Sequence, residues 1–127
     1  MIGNKAILDS NVIIDAVRNL IDIERSIFQF GQVYISLITY IEVLGYNFKD
    51  ESEKLLTSQI LGMFEIINPD IEIADLTISY LKMKKIKVPD AIILATAKKL
   101  NAILLTSNIA DFKNIDAEVI IDQSVKY

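Results

Sequence analysis

The sequence predicts an α/β domain of three layers, with a central, mostly parallel sheet covered by helices on both faces. Three observations carry that prediction. Short apolar runs alternate with longer amphipathic ones along all 127 residues, hydrophobic residues make up 52% of the chain, and most candidate strands are continuously apolar. A strand buried on both faces reads as an unbroken apolar run, whereas a half-exposed one alternates.

The elements follow in order. "KAILD" (5–9) is a short buried strand, and "NVIIDAVRNL" (11–20) a helix with Val12, Ala16 and Leu20 at four-residue spacing on one side. "IDIERSIFQF" forms a second helix stopped by Gly31. "QVYIS" (32–36) is a strand by its β-branched and aromatic content, leading into a helix from about Leu37 to Tyr46. "DESEKLLTSQILGMF" (50–64) has the acidic first turn that a helix amino terminus favours. "EIIN" is a strand ended by Pro69, and "IEIADLTISYLKMKK" a helix. Pro89 opens the helix "DAIILATAKKL" (90–100), "AILLTS" (102–107) is a strand, "IADFKNI" a helical turn, and "EVIID" (118–122) the last strand. The length suits one domain spanning 1–127.

No run approaches the roughly 20 apolar residues of a membrane span. "MIGNKAILDS" lacks the basic stretch, apolar run and cleavage site of a secretory signal, so a cytoplasmic location is expected. The chain has no His and no Cys, which excludes Ser-His-Asp and Cys-His nucleophiles and zinc thiolate sites. Its four glycines are scattered, so no phosphate-cradling loop exists. Enzymatic chemistry must then run on carboxylates, hydroxyls, amides or lysines, and hard oxygen ligands suit magnesium or manganese.

Ligands of an open parallel sheet bind beyond the carboxyl ends of its strands. Asp9 holds that position on the first strand, and Ser107, Asn108 and Asp111 follow "AILLT" in the same way. Glu42 sits within an otherwise apolar helix, with Thr39 and Tyr46 on its side and space beside it because Thr39 is small. Asp90 begins a helix whose Ala91 and Ala95 allow close approach to the sheet. Local structure offers each acid a duller role. Asp9, Ser10 or Asn11 can cap the following helix, Asp90 can serve the helix dipole, and Asn108 with Asp111 resembles a capping box. Glu42 has no capping role. Taken together, unpartnered carboxylates in one pocket repel unless protonated or bridged by a cation, and no Lys or Arg stands near them to neutralise them. A divalent metal answers all these observations.

"ILDSNVIIDA", "SLITYIEVLGY" and "VPDAIILATAKKLNAILLTSNIADF" resemble, in order and spacing, the acid-bearing motifs of the PIN domain family, and a chain of this size most resembles its VapC-type toxins. The resemblance implies a ribonuclease acting on RNA with Mg2+ or Mn2+ in an acidic pocket, a protein antitoxin as partner, and a homodimer. It puts Asp9, Glu42 and Asp90 in the first three acid positions, with Asn11 and Thr106 as supporting polar groups. Ser10 stands where Thr is more usual and keeps the hydroxyl. The fourth acid departs from the pattern: "TSN" replaces a Thr-x-Asp triplet, so either Asn108 or Asp111 fills that role. On this reading Asp9, Asp90 and the residue near 108–111 bind one or two ions, and Glu42 binds directly or through water. Asn11 and Thr106 orient the ligands.

The acidic net charge of −4 is unusual for a partner of RNA, although Lys82, Lys84, Lys85 and Lys87 can flank the pocket. Two rival functions compete. One is a catalytically silent domain of the same fold that binds metal or protein; the other is a phosphoacceptor receiver domain. The second wants paired acids after the first strand and an acceptor Asp ending the third, where "EIINPD" offers only Asp70.

Overall fold

The computed structural model describes residues 5–83 and 85–127. Residues 1–4, part of the stretch read for a secretory signal, and Lys84 of the basic run lie outside the described residues. The elements run β1 (Lys5–Leu8), α1 (Ser10–Val17), α2 (Ile23–Ile27), β2 (Gln32–Ser36), α3 (Leu37–Leu44), α4 (Glu51–Leu61), β3 (Glu65–Ile67), α5 (Ile71–Met83), α6 (Val88–Leu100), β4 (Ile103–Thr106) and β5 (Ile121–Gln123). A 3-10 turn (Ile109–Asp111) lies between the last two strands.

All pairings are parallel, in the order β3-β2-β1-β4-β5. Ile7 is in register with Tyr34 and Leu104, and Leu8 with Ile35 and Leu105. Successive residues of a strand face opposite sides, so these two rows seed separate cores. Ile7, Tyr34 and Leu104 pack with residues of α5 and α6, while Leu8, Ile35 and Leu105 pack with residues of α1, α3 and α4. Each such fully buried Leu or Ile contributes about 1.5–3 kcal/mol. The three-layer α/β/α fold expected from the apolar strands is therefore borne out.

The chain moves from β1 to β2 on one side and later returns to β4 on the other. The order thus reverses between β1 and β4, the place where ligands of such sheets bind. Ala91 and Ala95 are fully buried, letting α6 lie close against the sheet as expected.

Several boundaries differ from the sequence reading. Helix α1 begins at Ser10 and stops at Val17; Arg18 caps it and Asn19 adopts a left-handed conformation (φ 61°), so Leu20 leaves the helical face and is 52% exposed. Helix α2 ends at Ile27, well before Gly31. The last strand starts at Ile121; the buried Val119 precedes it in a turn closed by its own amide donating to the Asp116 carbonyl at 3.2 Å.

Candidate active site

The carboxyl end of β1 runs directly into α1, and Asp9 occupies the joint. Its amide donates to the Leu105 carbonyl at 2.9 Å, which ties the joint to β4. The side chain, only 4% exposed, is held at both oxygens: the Ser10 amide donates to Oδ1 at 2.8 Å and the Thr106 hydroxyl to Oδ2 at 2.9 Å. Asp9 is thus the amino-terminal cap of α1, and the same bonds aim its carboxylate across the switch point.

Glu42 arrives from the other side. Helix α3 starts at the end of β2, where Ser36 accepts from the Ile38 amide at 3.1 Å, and this presents Glu42 to α1. The Ser10 hydroxyl donates to Glu42 Oε1 at 2.5 Å, joining the first and second acid segments. A half-buried acid amid apolar neighbours thereby gains a partner. Thr39, read as the small residue on the side of Glu42, is fully buried and does not line the cleft, and its Oγ1 has no hydrogen-bond partner among the described residues.

Behind the acids, Asn11 Oδ1 accepts from the Ser107 amide at 3.0 Å, and Thr106 Oγ1 accepts from the Asn108 amide at 3.0 Å. The two supporting residues therefore fix the chain leaving β4. Asp90 stands in the first turn of α6, whose cap, Lys87, makes no side-chain cap bond. Asp111 ends the 3-10 turn. Asn108 is exposed outside the cleft and makes no side-chain cap bond, so the capping-box alternative fails: only its carbonyl meets the Asp111 amide, at 3.2 Å.

The result is a cleft of about 490 Å³ lined by Asp9, Ser10, Asn11, Glu42, Asp90 and Asp111, with Ile14, Gly45 and Tyr46. Four acids from four separated segments share it. Burial pushes the Asp9 carboxyl up to about 7; the Thr106 hydroxyl opposes this, Asp90 adds to it, the Ser10 amide opposes it and Glu42 adds. Burial likewise lifts Asp90 to about 6, reinforced by Asp111 and Glu42. Lys87 opposes the rise of Asp90, so one lysine of the 82–87 run does reach the acids electrostatically, as a run flanking the pocket would.

The sequence reading missed the uncharged wall of Ile14 and Gly45, and Arg18, whose guanidinium donates to the Tyr46 hydroxyl at 3.5 Å. Their apolar or isolated character gave no chemical signal. Among the described residues, no three acids converge into a ready-made metal cage. The donor chemistry nevertheless fits a hard divalent ion: the acids are oxygen donors, two of them are pushed towards protonation, and no lysine or arginine among the described residues forms an ion pair with them.

The sequence matches the PIN domain over residues 6–118. The chain belongs to the PIN domain family. The resemblance read from its acid motifs is thereby borne out. A protein in a toxin-antitoxin complex from Klebsiella pneumoniae is 35% identical, with a TM-score of 0.74 and coverage of 91% of this chain and 95% of that one. Two further solved PIN-like neighbours share the fold at lower identity. One belongs to the DNA-bound VapBC of Salmonella typhimurium (21% identical, TM-score 0.79, coverage 94% and 97%), the other to FitAcB of Neisseria gonorrhoeae (23%, 0.72, 92% and 96%). No curated protein matches the sequence. Among the described residues of this PIN domain, no helix is long and apolar enough to cross a membrane.

Proposed function

We propose that this PIN domain is a Mg2+- or Mn2+-dependent endoribonuclease and the VapC-type toxin of a toxin-antitoxin pair. The observation that carries the reading is the gathering of Asp9, Glu42, Asp90 and Asp111 in one cleft at the switch point, without an ion-paired lysine or arginine among the described residues. The 35% identity to a protein of a Klebsiella toxin-antitoxin complex supports the toxin role, and with it a small protein antitoxin as partner. Homodimerisation belongs to the same reading and is tested by sedimentation over a concentration series.

On this reading Asp9, Asp90 and Asp111 are the ligand set, with Glu42 binding directly or through water; Asp111 is preferred to Asn108 because Asp111 lines the cleft and Asn108 does not. A bound divalent ion supplies Lewis-acid charge, making water more nucleophilic and offsetting charge on the attacked phosphate. The chain's own groups prepare for this. Thr106 and the Ser10 amide hold both oxygens of Asp9, and Ser10 Oγ holds Glu42. Such outer partners orient ligands and raise their affinity. The raised pKa values mean that in the cation-free protein Asp9 is only partly ionised near neutrality and Asp90 holds its proton up to about pH 6, so cation binding at the cluster is coupled to proton release.

A silent binding domain is the second reading, favoured by the absence of a ready-made cage among the described residues. Manganese binding and RNA cleavage measured on one sample separate the two. Binding with cleavage that Asp9→Asn removes supports the ribonuclease; binding without cleavage supports the silent domain.

A further inference from the structure

The acidic cleft has a wall that its carboxylates do not explain. Tyr46 follows the end of α3, where the Gly45 amide donates to the Ile41 carbonyl at 2.9 Å and the Tyr46 amide to the Val43 carbonyl at 3.2 Å. A Cβ at Gly45 would lie 3.0 Å from the Ile41 carbonyl oxygen, so glycine lets the chain turn tightly beside the acids. Tyr46 is 38% exposed as a residue, yet its ring is backed by Phe48 with ring centroids 4.8 Å apart and planes tilted by 54°. Phe48 is half-buried against the core cluster that includes Leu8 and Val12, which fixes the backing. Arg18, exposed at the carboxyl end of α1, contacts the Tyr46 hydroxyl and makes no ion pair among the described residues. An exposed, buttressed aromatic ring and an uncommitted guanidinium thus adjoin a cluster of acids in a chain of net charge −4.

We propose that Tyr46, backed by Phe48, together with Arg18 forms a subsite for one unstacked base and the adjoining phosphate of single-stranded RNA. This rests on the ribonuclease reading and adds how the substrate is held. An aromatic face accepts any base by stacking, contributing about 1–3 kcal/mol per base in comparable sites. An arginine adds charge-assisted contact to phosphate. The acids repel phosphate, so an anchor at the rim is what keeps the strand in reach of them. A paired helix keeps its base faces covered, so the subsite takes single strands.

The test uses the full chain and a fluorescent single-stranded RNA of about eight nucleotides, with binding followed by anisotropy in an Asp9→Asn background that prevents cutting. Adding Tyr46→Leu is expected to weaken binding by roughly five- to a hundredfold, Tyr46→Phe to preserve it, and Arg18→Gln to weaken it while reducing the salt slope by about 0.7. Replacing bases one at a time by abasic residues identifies the stacked one: affinity falls at one position with Tyr46 present and is indifferent there with Tyr46→Leu. Binding unchanged by Tyr46→Leu, or a loss equally large on every abasic strand, overturns the subsite. If Tyr46→Leu does not fold, Arg18→Gln and the abasic series decide. Cleavage by the unmutated chain is scored separately. Tyr46-dependent binding without cleavage sinks the ribonuclease and leaves the subsite. Cleavage whose KM ignores Tyr46→Leu sinks the subsite and leaves the ribonuclease. A chain that neither binds nor cuts the RNA overturns both.

Discussion

The two ends of helix α6 treat charge in opposite ways. At the carboxyl end, Lys98 meets Asp116 at 3.5 Å and pairs with Glu118, while Lys99 pairs with Asp70 and lies 3.8 Å from Glu72. The Tyr80 hydroxyl donates to Asp116 at 2.7 Å. Burial pushes the Asp116 carboxyl up, but the Tyr80 hydroxyl, the Glu118 amide and Lys98 outweigh it and hold the group below the usual carboxylate range. At the amino end, Asp90 accepts no hydrogen bond among the described residues and faces Asp111 and Glu42, and its pKa rises. Both arrangements suit the helix dipole. The dipole therefore does not distinguish them, whereas compensation does. Where lysines answer carboxylates the helix is being held in place, and where carboxylates are left facing one another stands the cleft to which the proposed cation is assigned.

The sharpest way to break this contrast is at the uncompensated end. Asp9→Asn keeps the Thr106 and Ser10 contacts sterically possible but removes the charge. Cleavage is expected to be abolished while the far-ultraviolet spectrum is unchanged; RNA cut at the parental rate would show that the cluster is not catalytic. Ser10→Ala is the next largest effect. Without the Ser10 hydroxyl, Glu42 loses its hydrogen-bond partner at 2.5 Å, and cation affinity or cleavage should fall by about 10- to 100-fold, with rescue by Ser10→Thr. Manganese titration and initial rates check both.

A third effect is read in stability. Between about pH 4, where a free Asp titrates, and about pH 7, the folded chain keeps a proton on Asp9 that the unfolded chain has lost. The folded state then binds more protons, so stability falls as pH rises through this window and levels off above it. Asp90, raised to about 6, adds to the slope over its lower part. Melting measured with EDTA should show the decline. Added Mn2+ should reverse it near neutrality, because a ligand that binds only the folded state stabilises it. Asp9→Asn should flatten the EDTA curve, and a melting temperature that climbs from pH 4 to 7 with EDTA present contradicts the burial of these acids.

Much of this was legible in the sequence, for identifiable reasons. The strands announce themselves because a doubly covered strand is apolar along its middle and carries its polar residues at the ends, as Lys5 in "KAIL" and Thr106 in "AILLT" show. The acids at strand ends and Glu42 stood out against apolar neighbours, and the structure brings Asp9, Glu42, Asp90 and Asp111 to one cleft. What escaped depends on contacts distant in sequence. The end of α1 hinged on Asn19 turning left-handed, which periodicity cannot register. Ser10 looked like a capping residue, yet its hydroxyl is spent on Glu42, 32 positions away. Which of Asn108 and Asp111 faces the cleft depends on a short 3-10 turn, and the capping-box pattern read there is not made by the Asn108 side chain. Arg18 carries no motif, and Tyr46, though it closes the "SLITYIEVLGY" segment, gives no sign in the sequence of its contact with Arg18.

The smallest effect tests the compensated end. Lys98→Met keeps most of the apolar stem of the lysine and removes its ammonium, leaving Asp116 with the Tyr80 hydroxyl and the Glu118 amide as partners. Asp116 is the less exposed member of the pair, at 14% of its side chain against 28% for Lys98, so it bears the loss. Its carboxyl should rise from its lowered value, and the melting temperature should drop modestly at neutral pH. That drop should shrink on acidification, because a carboxylate held below its ordinary value stabilises the fold only while ionised. RNA cleavage and manganese affinity should not move, since Lys98 stands at the far end of α6 from Asp90. A loss of cleavage in Lys98→Met without a matching loss of stability would mean that the two ends of the helix are coupled, and that the lysines help set the acid cleft as well as hold the helix.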